Sequence, residues 1–223
     1  MAGTYVVTGA SRGIGLEFCR QLMKRGERVI GVVRTPSPAL AELGVRTELA
    51  DVTDAAQVEA LGVRLAGEAV EVLINNAGVS SKASRLADLS IEELGRVFGV
   101  NASSPLVVTR ALMPSLRAGK SRRVINISSQ LGSITNNAGG SSYPYRASKA
   151  ALNMLTVSLA NELRPEGFTC VVMHPGWVQT DMGGPNATLT PTQAVGSMLG
   201  VMDRLGPDDS GRFLNYDGKA LPW

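Results

Sequence analysis

Short apolar runs alternate with amphipathic stretches along the whole 223-residue chain. Several runs are almost continuous in valine, isoleucine and leucine, which is typical of strands buried on both faces of a sheet. The predicted strands are residues 5–8, 28–33, 46–49, 70–74, 124–128, 168–174 and 212–215. The stretches between them repeat apolar residues every three or four positions. They predict helices at residues 14–25, 36–43, 55–66, 91–117, 145–164 and 191–205.

This alternation predicts βαβ units, and hence a parallel sheet with helices on both faces. The fold expected is therefore α/β, a three-layer, doubly wound (Rossmann-type) arrangement of seven mostly parallel strands in a single domain over residues 1–223. Three polar residues are predicted helix caps: Asp54, Thr190 before Pro191, and Ser90, which forms a capping box with Glu93.

Composition narrows the class of protein. Hydrophobic residues make up 44% of the chain and charged residues 18%, so a packed globule is expected. The net charge is only +3, and the densest basic cluster, at Lys120, Arg122 and Arg123, is typical of a solvated loop. No nucleic-acid partner is therefore expected.

The apolar runs, the N-terminal residues and the two cysteines predict where in the cell the protein resides. No apolar run reaches the ~18 residues of a membrane helix, and the first residues lack the charge of a signal peptide. Cys19 and Cys170 lie in a helical and a strand pattern, without a motif for pairing or for metal binding. We expect a cytoplasmic protein without membrane attachment or a metal.

The first strand runs into the sequence Thr8-Gly9-Ala10-Ser11-Arg12-Gly13-Ile14-Gly15, and a helix follows. Glycines allow a sharp turn and let a pyrophosphate approach backbone N–H groups at a helix N-terminus, where the helix dipole favours negative charge. The spacing G-x-x-x-G-x-G, placed after the first strand, predicts a dinucleotide site. Arg34, with no acidic neighbour at the end of the second strand, favours NADP(H) over NAD(H), since a guanidinium suits a 2′-phosphate. Arg12 is a second candidate for that phosphate.

Tyr145 and Lys149 are four residues apart and so share one helix face. A tyrosine exchanges protons near neutral pH only if its pKa falls, and a neighbouring ammonium group lowers it. Tyr143 also lies nearby but has no lysine four residues on, so it is interpreted as a wall of the pocket.

Besides these motifs, the chain contains Asp51-Val52, Asn75-Asn76-Ala77-Gly78, Asn101, Ser128-Ser129 and Pro175-Gly176. In this combination the sequence resembles the short-chain dehydrogenase/reductase family over essentially its whole length. Residues 128–134, 143–149, 174–184 and 213–218 look most like the sniffer-type carbonyl reductases and the bacterial C-factor proteins. The resemblance implies a strand order of 3-2-1-4-5-6-7.

The resemblance also implies roles. Tyr145 would exchange the proton at the substrate oxygen, and Lys149 would lower its pKa and bond the nicotinamide ribose. Ser129 would hold the substrate oxygen, while Asn101 would keep a water that relays protons to Lys149. The residues expected to bind the cofactor are Gly9, Ser11, Arg12, Gly13, Ile14, Gly15, Arg34, Asp51, Val52, Asn76, Ala77, Gly78, Tyr145, Lys149, Pro175, Gly176, Val178 and Thr180.

Several alternatives stay open at this point. Ser128 and Ser129 point to opposite faces of a strand, so only one faces the site. The function expected is hydride transfer between NADP(H) and a small carbonyl or alcohol; a regulatory protein that binds the cofactor without turnover is the alternative. A sugar-nucleotide epimerase would carry a longer C-terminal region. The family's usual interface, over helices 91–117 and 145–164, predicts a homodimer.

Overall fold

The computed structural model describes residues 2–223, in which seven strands form one parallel sheet. The strands are β1 (Thr4–Thr8), β2 (Arg28–Val33), β3 (Arg46–Leu49), β4 (Val72–Asn75), β5 (Arg123–Ile127), β6 (Thr169–His174) and β7 (Phe213–Asn215). Their order is β3-β2-β1-β4-β5-β6-β7, and every neighbouring pair is parallel. The predicted fold class and strand order are confirmed, and the strand ends differ from those expected by at most two residues.

Helices cover both faces of this sheet. They are α1 (Gly13–Lys24), α2 (Pro38–Glu42), α3 (Ala55–Arg64), α4 (Ile91–Phe98), α5 (Ser104–Ala111), α6 (Met113–Ala118), α7 (Tyr143–Leu163) and α8 (Pro191–Met202). Within residues 2–223, no helix combines the length and the apolarity that a membrane span requires.

The alternation of side chains in β1 explains the three layers. Val7 faces a cluster with α1 and α8, which includes Phe18 and Met198, whereas Val6 faces a cluster with α3, α5, α6 and α7, which includes Leu61. Because successive strand residues point to opposite faces, a continuous apolar strand requires a helix layer on each side.

The prediction of one helix over residues 91–117 is wrong, because two prolines interrupt it. Pro105 and Pro114 have no N–H to donate to the preceding turn, so the chain forms a π-helical turn at Gly99–Ser103 and ends α5 at Ala111. The Ser104 hydroxyl donates to the Val100 carbonyl at 2.8 Å and supports the wide turn. The break leaves Asn101 within the π-helical turn, a rare conformation that occurs frequently at functional sites.

The helix caps are partly as expected. Asp54 and Ser90 accept from the third N–H of their helices, and Thr190 forms a full capping box with Gln193. Glu93 does not complete the box predicted with Ser90. Its carboxylate accepts instead from the Lys82 backbone at 2.7 Å and from Arg96, which ties the loop after β4 to α4.

Candidate active site

A cleft of about 930 Å³ lies at the carboxyl ends of the central strands. Strand β1 lies between β2 and β4, and the chain reverses its winding direction there; α/β folds bind ligands in the crevice this creates. Most residues predicted for the cofactor line this cleft: Gly9, Ser11, Arg12, Gly13, Ile14, Arg34, Asp51, Val52, Asn76, Ala77, Gly78, Tyr145, Lys149, Pro175 and Thr180.

The glycine loop forms the floor of the cleft before α1. Gly9 and Gly13 have φ values of +64° and +54°, which side-chain-bearing residues rarely adopt. A Cβ on Gly9 would lie 2.8 Å from the Ala77 Cα, so that glycine also lets two loops touch. No side chain caps the N-terminus of α1, which leaves its first N–H groups facing the cleft. This arrangement suits a pyrophosphate, since the N–H groups and helix dipole attract anions.

Asn76 fastens the loop after β4 to the end of β1. Its amide nitrogen donates to the carbonyls of Thr8 and Gly9 at 3.0 and 3.1 Å. The Thr8 hydroxyl in turn accepts from the backbone N–H groups of Asn76 and Ala77. Asn76 lines the cleft, but both of its amide bonds hold the protein together. The hydrogen bonds to the Thr8 hydroxyl were not predicted, although a threonine directly before the glycine loop is visible in the sequence.

Charged residues stand on the rim of the cleft. Arg34 is exposed beside Asp51, whose pKa is lowered by hydrogen bonds from Thr53 and, to a smaller extent, by the Arg34 charge. Arg12 pairs with Asp181 at 3.3 Å across the cleft, and both side chains are about four-fifths exposed. The sequence did not predict this pair, which joins the glycine loop to the loop after β6.

Tyr145 and Ser129 meet at the start of α7. Burial raises the pKa of the Tyr145 phenol above its ordinary value, and a hydrogen bond with the Ser129 side chain lowers it by less. The lowering expected from Lys149 is not found in the protein alone: loss of solvent raises the Tyr145 pKa, and only the Ser129 side chain opposes that rise. With a raised pKa, the phenol carries its proton at neutral pH.

The two adjacent serines have different partners, as strand alternation requires. Ser128 lines the main cleft, but its hydroxyl donates to the Asn153 side chain of α7 at 2.8 Å. The Ser129 hydroxyl accepts from the Leu131 N–H at 3.1 Å and lies close enough to the Tyr145 phenol to lower its pKa. Ser129 is thus the serine that the structure places beside the phenol.

Lys149 is buried next to Tyr145. Its Nζ lies 5.8 Å from the centre of the Tyr145 ring and donates to the Ile127 carbonyl at 2.9 Å. Burial lowers the pKa of Lys149 to about 8, because a charged group is costly in an apolar environment.

Asn101 approaches the same point from the π-helical turn. Its amide oxygen accepts from the Val79 N–H at 2.8 Å, and its nitrogen donates to the Val79 carbonyl and to the Ser148 hydroxyl. A Cβ placed on Gly78 would lie 3.5 Å from the Asn101 oxygen and 3.8 Å from Lys149 Nζ. Gly78 therefore leaves the space in which these two groups converge.

Three predicted cofactor residues lie outside the cleft lining. Gly15 is buried under the loop, where a Cβ would lie 2.3 Å from the Gly9 carbonyl oxygen. Gly176, at φ +83°, makes room for Leu189 and Tyr216, and Val178 is buried in a short bridge to Leu189. These three residues shape the walls of the cleft by packing. A sequence motif does not distinguish a residue that packs in this way from one that contacts a ligand.

Other residues of the lining were missed. Gly95 and Arg96 of α4 and Gly99 of the π-helical turn line the cleft, and the spacing of the glycines was a readable signal. Glu17 and Arg20 of α1 and Thr192 of α8 line it as well. They join elements far apart in sequence, so no local pattern marks them.

The loop after β6 places apolar groups beside the cleft. Trp177 and Met182 are each half exposed, and the indole N–H donates to the Gly183 carbonyl at 2.8 Å. His174 is buried at the end of β6, and burial lowers its pKa to about 4. Among residues 2–223, no group of three or more histidine, cysteine, aspartate or glutamate side chains could hold a metal.

Comparison with known proteins matches this chain to the family described as short chain dehydrogenase, over residues 4–189. The C-signal protein of Myxococcus xanthus is 53% identical over 154 residues, which are 69% of this chain and 93% of that protein.

Two solved structures are similar over almost their entire length. The carbonyl reductase Sniffer of D. melanogaster has a TM-score of 0.95 at 32% identity, and all of both chains is covered. The NADPH-bound carbonyl reductase from chicken fatty liver has a TM-score of 0.91 at 36% identity, covering 100% of this chain and 99% of that one. The chain therefore belongs to the short-chain dehydrogenase/reductase family.

Proposed function

We propose that this protein is an NADP(H)-dependent oxidoreductase that transfers a hydride between the cofactor and a small carbonyl or alcohol. One observation carries the proposal: Tyr145 and Lys149 line a cleft whose floor is an uncapped helix N-terminus with glycine turns, and Ser129 lies beside the Tyr145 phenol. Proton exchange and phosphate binding are thereby available in one continuous space.

The cofactor proposed is NADP(H), in preference to NAD(H). The α1 N-terminus and the turns at Gly9 and Gly13 suit its pyrophosphate. Arg34 stands exposed at the end of β2, the position from which a side chain distinguishes a 2′-phosphate from a 2′-hydroxyl. When bound, the cofactor would supply or accept the hydride.

The protein's own contribution is to hold and move the proton. Tyr145 keeps its proton at neutral pH, so it donates readily to a carbonyl oxygen that gains negative charge. Ser129, beside the same phenol, would donate a hydrogen bond to that oxygen. Lys149, charged below its pKa of about 8, stabilises the phenolate that remains. The protonated phenol is the form of Tyr145 that can act as the acid in carbonyl reduction.

The substrate proposed is small or largely apolar at its reacting end. Met182 lines the cleft and is half exposed, and Trp177 is a half-exposed aromatic residue of the same loop. The Gln179 N–H donates to the Leu189 carbonyl at 2.8 Å, and the Leu189 N–H donates to the Trp177 carbonyl at 3.0 Å. These two hydrogen bonds fold the loop back on itself.

A second candidate is a regulatory protein that binds the cofactor without turnover. The similarity to C-signal over two-thirds of the chain favours it. The presence of Ser129, Tyr145 and Lys149 together speaks against a pure binding role, because binding alone needs no proton donor.

Location and assembly are also proposed. Cys19 and Cys170 are both free and buried, which suits a reducing compartment such as the cytoplasm. A homodimer through α4, α5 and α7 accords with the exposure of Met154 on α7, which is two-thirds exposed in the single chain. Sedimentation or light scattering that finds only monomer would contradict the homodimer.

The direct test compares Tyr145→Phe with Tyr143→Phe, two variants that each remove one phenolic hydroxyl from the first turns of α7. Binding of NADPH is followed by energy transfer from protein fluorescence, and turnover by oxidation of NADPH with a panel of aldehydes and ketones. We expect Tyr145→Phe to retain NADPH binding and to lose turnover by ~10²-fold or more. Tyr143→Phe should change the rate far less. Equal losses in the two variants, or no NADPH binding in the wild type, would contradict the proposal.

A further inference from the structure

A second cavity of about 190 Å³ lies beside the first turns of α7, apart from the main cleft. The loop between β5 and α7 forms one wall, including Leu131, Asn137 and Ser141. Arg146 and Ala150 of α7 form the other. We call this space the Arg146 cavity. Nothing in the proposed reaction so far uses it.

Arg146 is the only cationic residue in the lining, and no carboxylate lies there. Within residues 2–223, Arg146 forms no ion pair and no side-chain hydrogen bond, and its Nε is buried without an acceptor. A guanidinium group cannot lose its proton, so a partly buried one without a counter-ion is costly. Arg46, Arg96 and Arg117, by contrast, each pair with a glutamate.

Two neutral groups add hydrogen-bond donors. Asn137 uses its amide oxygen to accept from the Gly140 N–H at 3.2 Å, which leaves its amide nitrogen without a protein acceptor in the described chain. The Ser141 hydroxyl is likewise unengaged there. Ser133 differs, because its hydroxyl already donates to the Trp223 carbonyl and accepts from the Asn136 N–H. The cavity thus offers a cation and two donors around an apolar floor.

The backbone holds this arrangement at a cost. Gly140, Ser141 and Ser142 have φ values of +60°, +62° and +47° in succession. Side-chain-bearing residues rarely adopt that region, so the segment needs support from its surroundings. The Ser142 N–H donates to the Ser84 carbonyl at 2.9 Å and supplies part of that support.

We propose that the Arg146 cavity binds a carboxylate. An anion with two oxygens would pair with the guanidinium fork and accept from Asn137 and Ser141, supplying the acceptors that the protein lacks. Arg146 follows Tyr145 directly, and Leu131, whose N–H donates to Ser129, lines the cavity. The site therefore borders the proton-donating pair. A substrate that carries a carboxylate several bonds from its reacting carbon is one source of the anion, and a separate small carboxylate is the other.

The substrate source rests on the proposed function, whereas binding of a carboxylate does not. The first experiment therefore needs no turnover. Butanoate and its neutral analogue butanamide are titrated into isotope-labelled protein, and backbone amide shifts are followed at Leu131, Gly140 and Ser141. We expect saturable shifts with butanoate alone, lost in Arg146→Gln and retained in Arg164→Gln, at the other end of α7. The fold of Arg146→Gln is checked by the backbone amide shifts of residues far from the cavity, which should match those of the wild type.

The second experiment identifies the source of the anion. The ratio of kcat/KM for 4-oxopentanoate to that for its amide is measured in wild type and Arg146→Gln. A wild-type preference for the acid of about tenfold, reduced to near one in the variant, would assign the carboxylate to the substrate. Butanoate binding without that preference would support the site and assign it to a separate molecule. Absence of saturable shifts in the wild type, or their persistence in Arg146→Gln, would overturn the proposal whether or not the protein turns over carbonyls.

Discussion

The main cleft and the Arg146 cavity flank the same end of α7 but are built by different means. Backbone shapes the floor of the cleft: Gly9 and Gly13 turn the chain, and close contacts between loops leave no room for side chains. The cavity depends on side chains of a loop held by distant residues such as Ser84. The two sites also differ in the burial of their arginines. Arg12 and Arg34 are exposed on the rim of the cleft, whereas Arg146 is partly buried and has no carboxylate partner within residues 2–223.

This difference separates two kinds of specificity. The turns at Gly9 and Gly13 and the N-terminus of α1, which we call the backbone cradle, are determined by residue types within a few positions of one another in the sequence. Such a site suits a ligand of constant shape. A cavity walled by a loop changes with single side chains and suits a ligand that varies. Substitutions in the backbone cradle should therefore change the affinity for the cofactor whichever substrate is used. Substitutions at Arg146 should change only the selectivity among substrates.

The largest effect is expected at Lys149, which belongs to the chemistry itself. Lys149→Met should lower kcat/KM by ~10²–10⁴-fold, because the phenolate of Tyr145 loses its neighbouring cation. Lys120→Met, an exposed lysine far from the site, is the control. Burial disfavours the charged form of Lys149 and lowers its pKa to about 8, so the ammonium is present below that pH and lost above it. Wild-type kcat/KM should therefore fall as pH rises through about 8, and a profile that stays flat to pH 9 would contradict this role.

A smaller loss is expected from Gly15→Ala, which tests the backbone cradle. The new Cβ would lie 2.3 Å from the Gly9 oxygen and 2.5 Å from the Asn76 amide nitrogen, so the loop must shift. We expect a cost of about 1–3 kcal/mol, divided between the free energy of unfolding and NADPH binding. Gly200→Ala in α8 meets only the Arg204 guanidinium at 3.8 Å and should stabilise the helix by up to about 1 kcal/mol. Denaturant unfolding and NADPH titration of both variants measure this, and equal behaviour would argue against a tight cradle.

Arg34→Ala tests which cofactor the rim selects. Loss of one guanidinium contact to a 2′-phosphate should weaken NADPH binding by about tenfold and leave NADH binding nearly unchanged. Arg28→Ala, at the opposite end of β2, removes the same charge away from the cleft. Titration with both dinucleotides gives the ratio of affinities. A parallel loss for NADPH and NADH would show that Arg34 does not read the 2′-phosphate.

The smallest effect is expected from Asp181→Asn. Asp181 occupies Arg12 at 3.3 Å, and its removal frees that guanidinium for the phosphates of the cofactor. Because the pair is exposed, we expect NADPH affinity to rise only two- to fivefold, and the gain should disappear at high salt. Asp203→Asn breaks an exposed pair with Arg25 elsewhere and serves as the control. A weaker affinity in Asp181→Asn would mean that the ion pair instead helps to form the site.

The sequence predicted the sheet and the glycine turns before α1 well, because both depend on local patterns. Continuous apolar runs specify strands covered on both faces, and glycine spacing specifies a turn. Sequence reasoning failed where a local rule was overlooked or where distant segments meet. Pro105 and Pro114 break the helix predicted over 91–117, which a closer reading of the prolines would have shown.

Other features depend on the assembled structure. The partners of Ser128 and Ser129 lie in α7, so strand alternation alone left the choice between them open. The effect of burial on the Tyr145 pKa also follows only from the packed environment. The Arg146 cavity was not predicted, since its unpaired guanidinium becomes evident only when every neighbouring carboxylate has been located.

Transfer of deuterium tests the central claim most directly. NADPH carrying deuterium at the transferable C4 position is incubated with the wild type, Tyr145→Phe and a panel of aldehydes and ketones, and the alcohols are analysed by mass spectrometry. The account predicts one deuterium at the former carbonyl carbon of at least one product with the wild type, and almost none with Tyr145→Phe. Tight NADPH binding without deuterium in any product would contradict hydride transfer and favour the regulatory role.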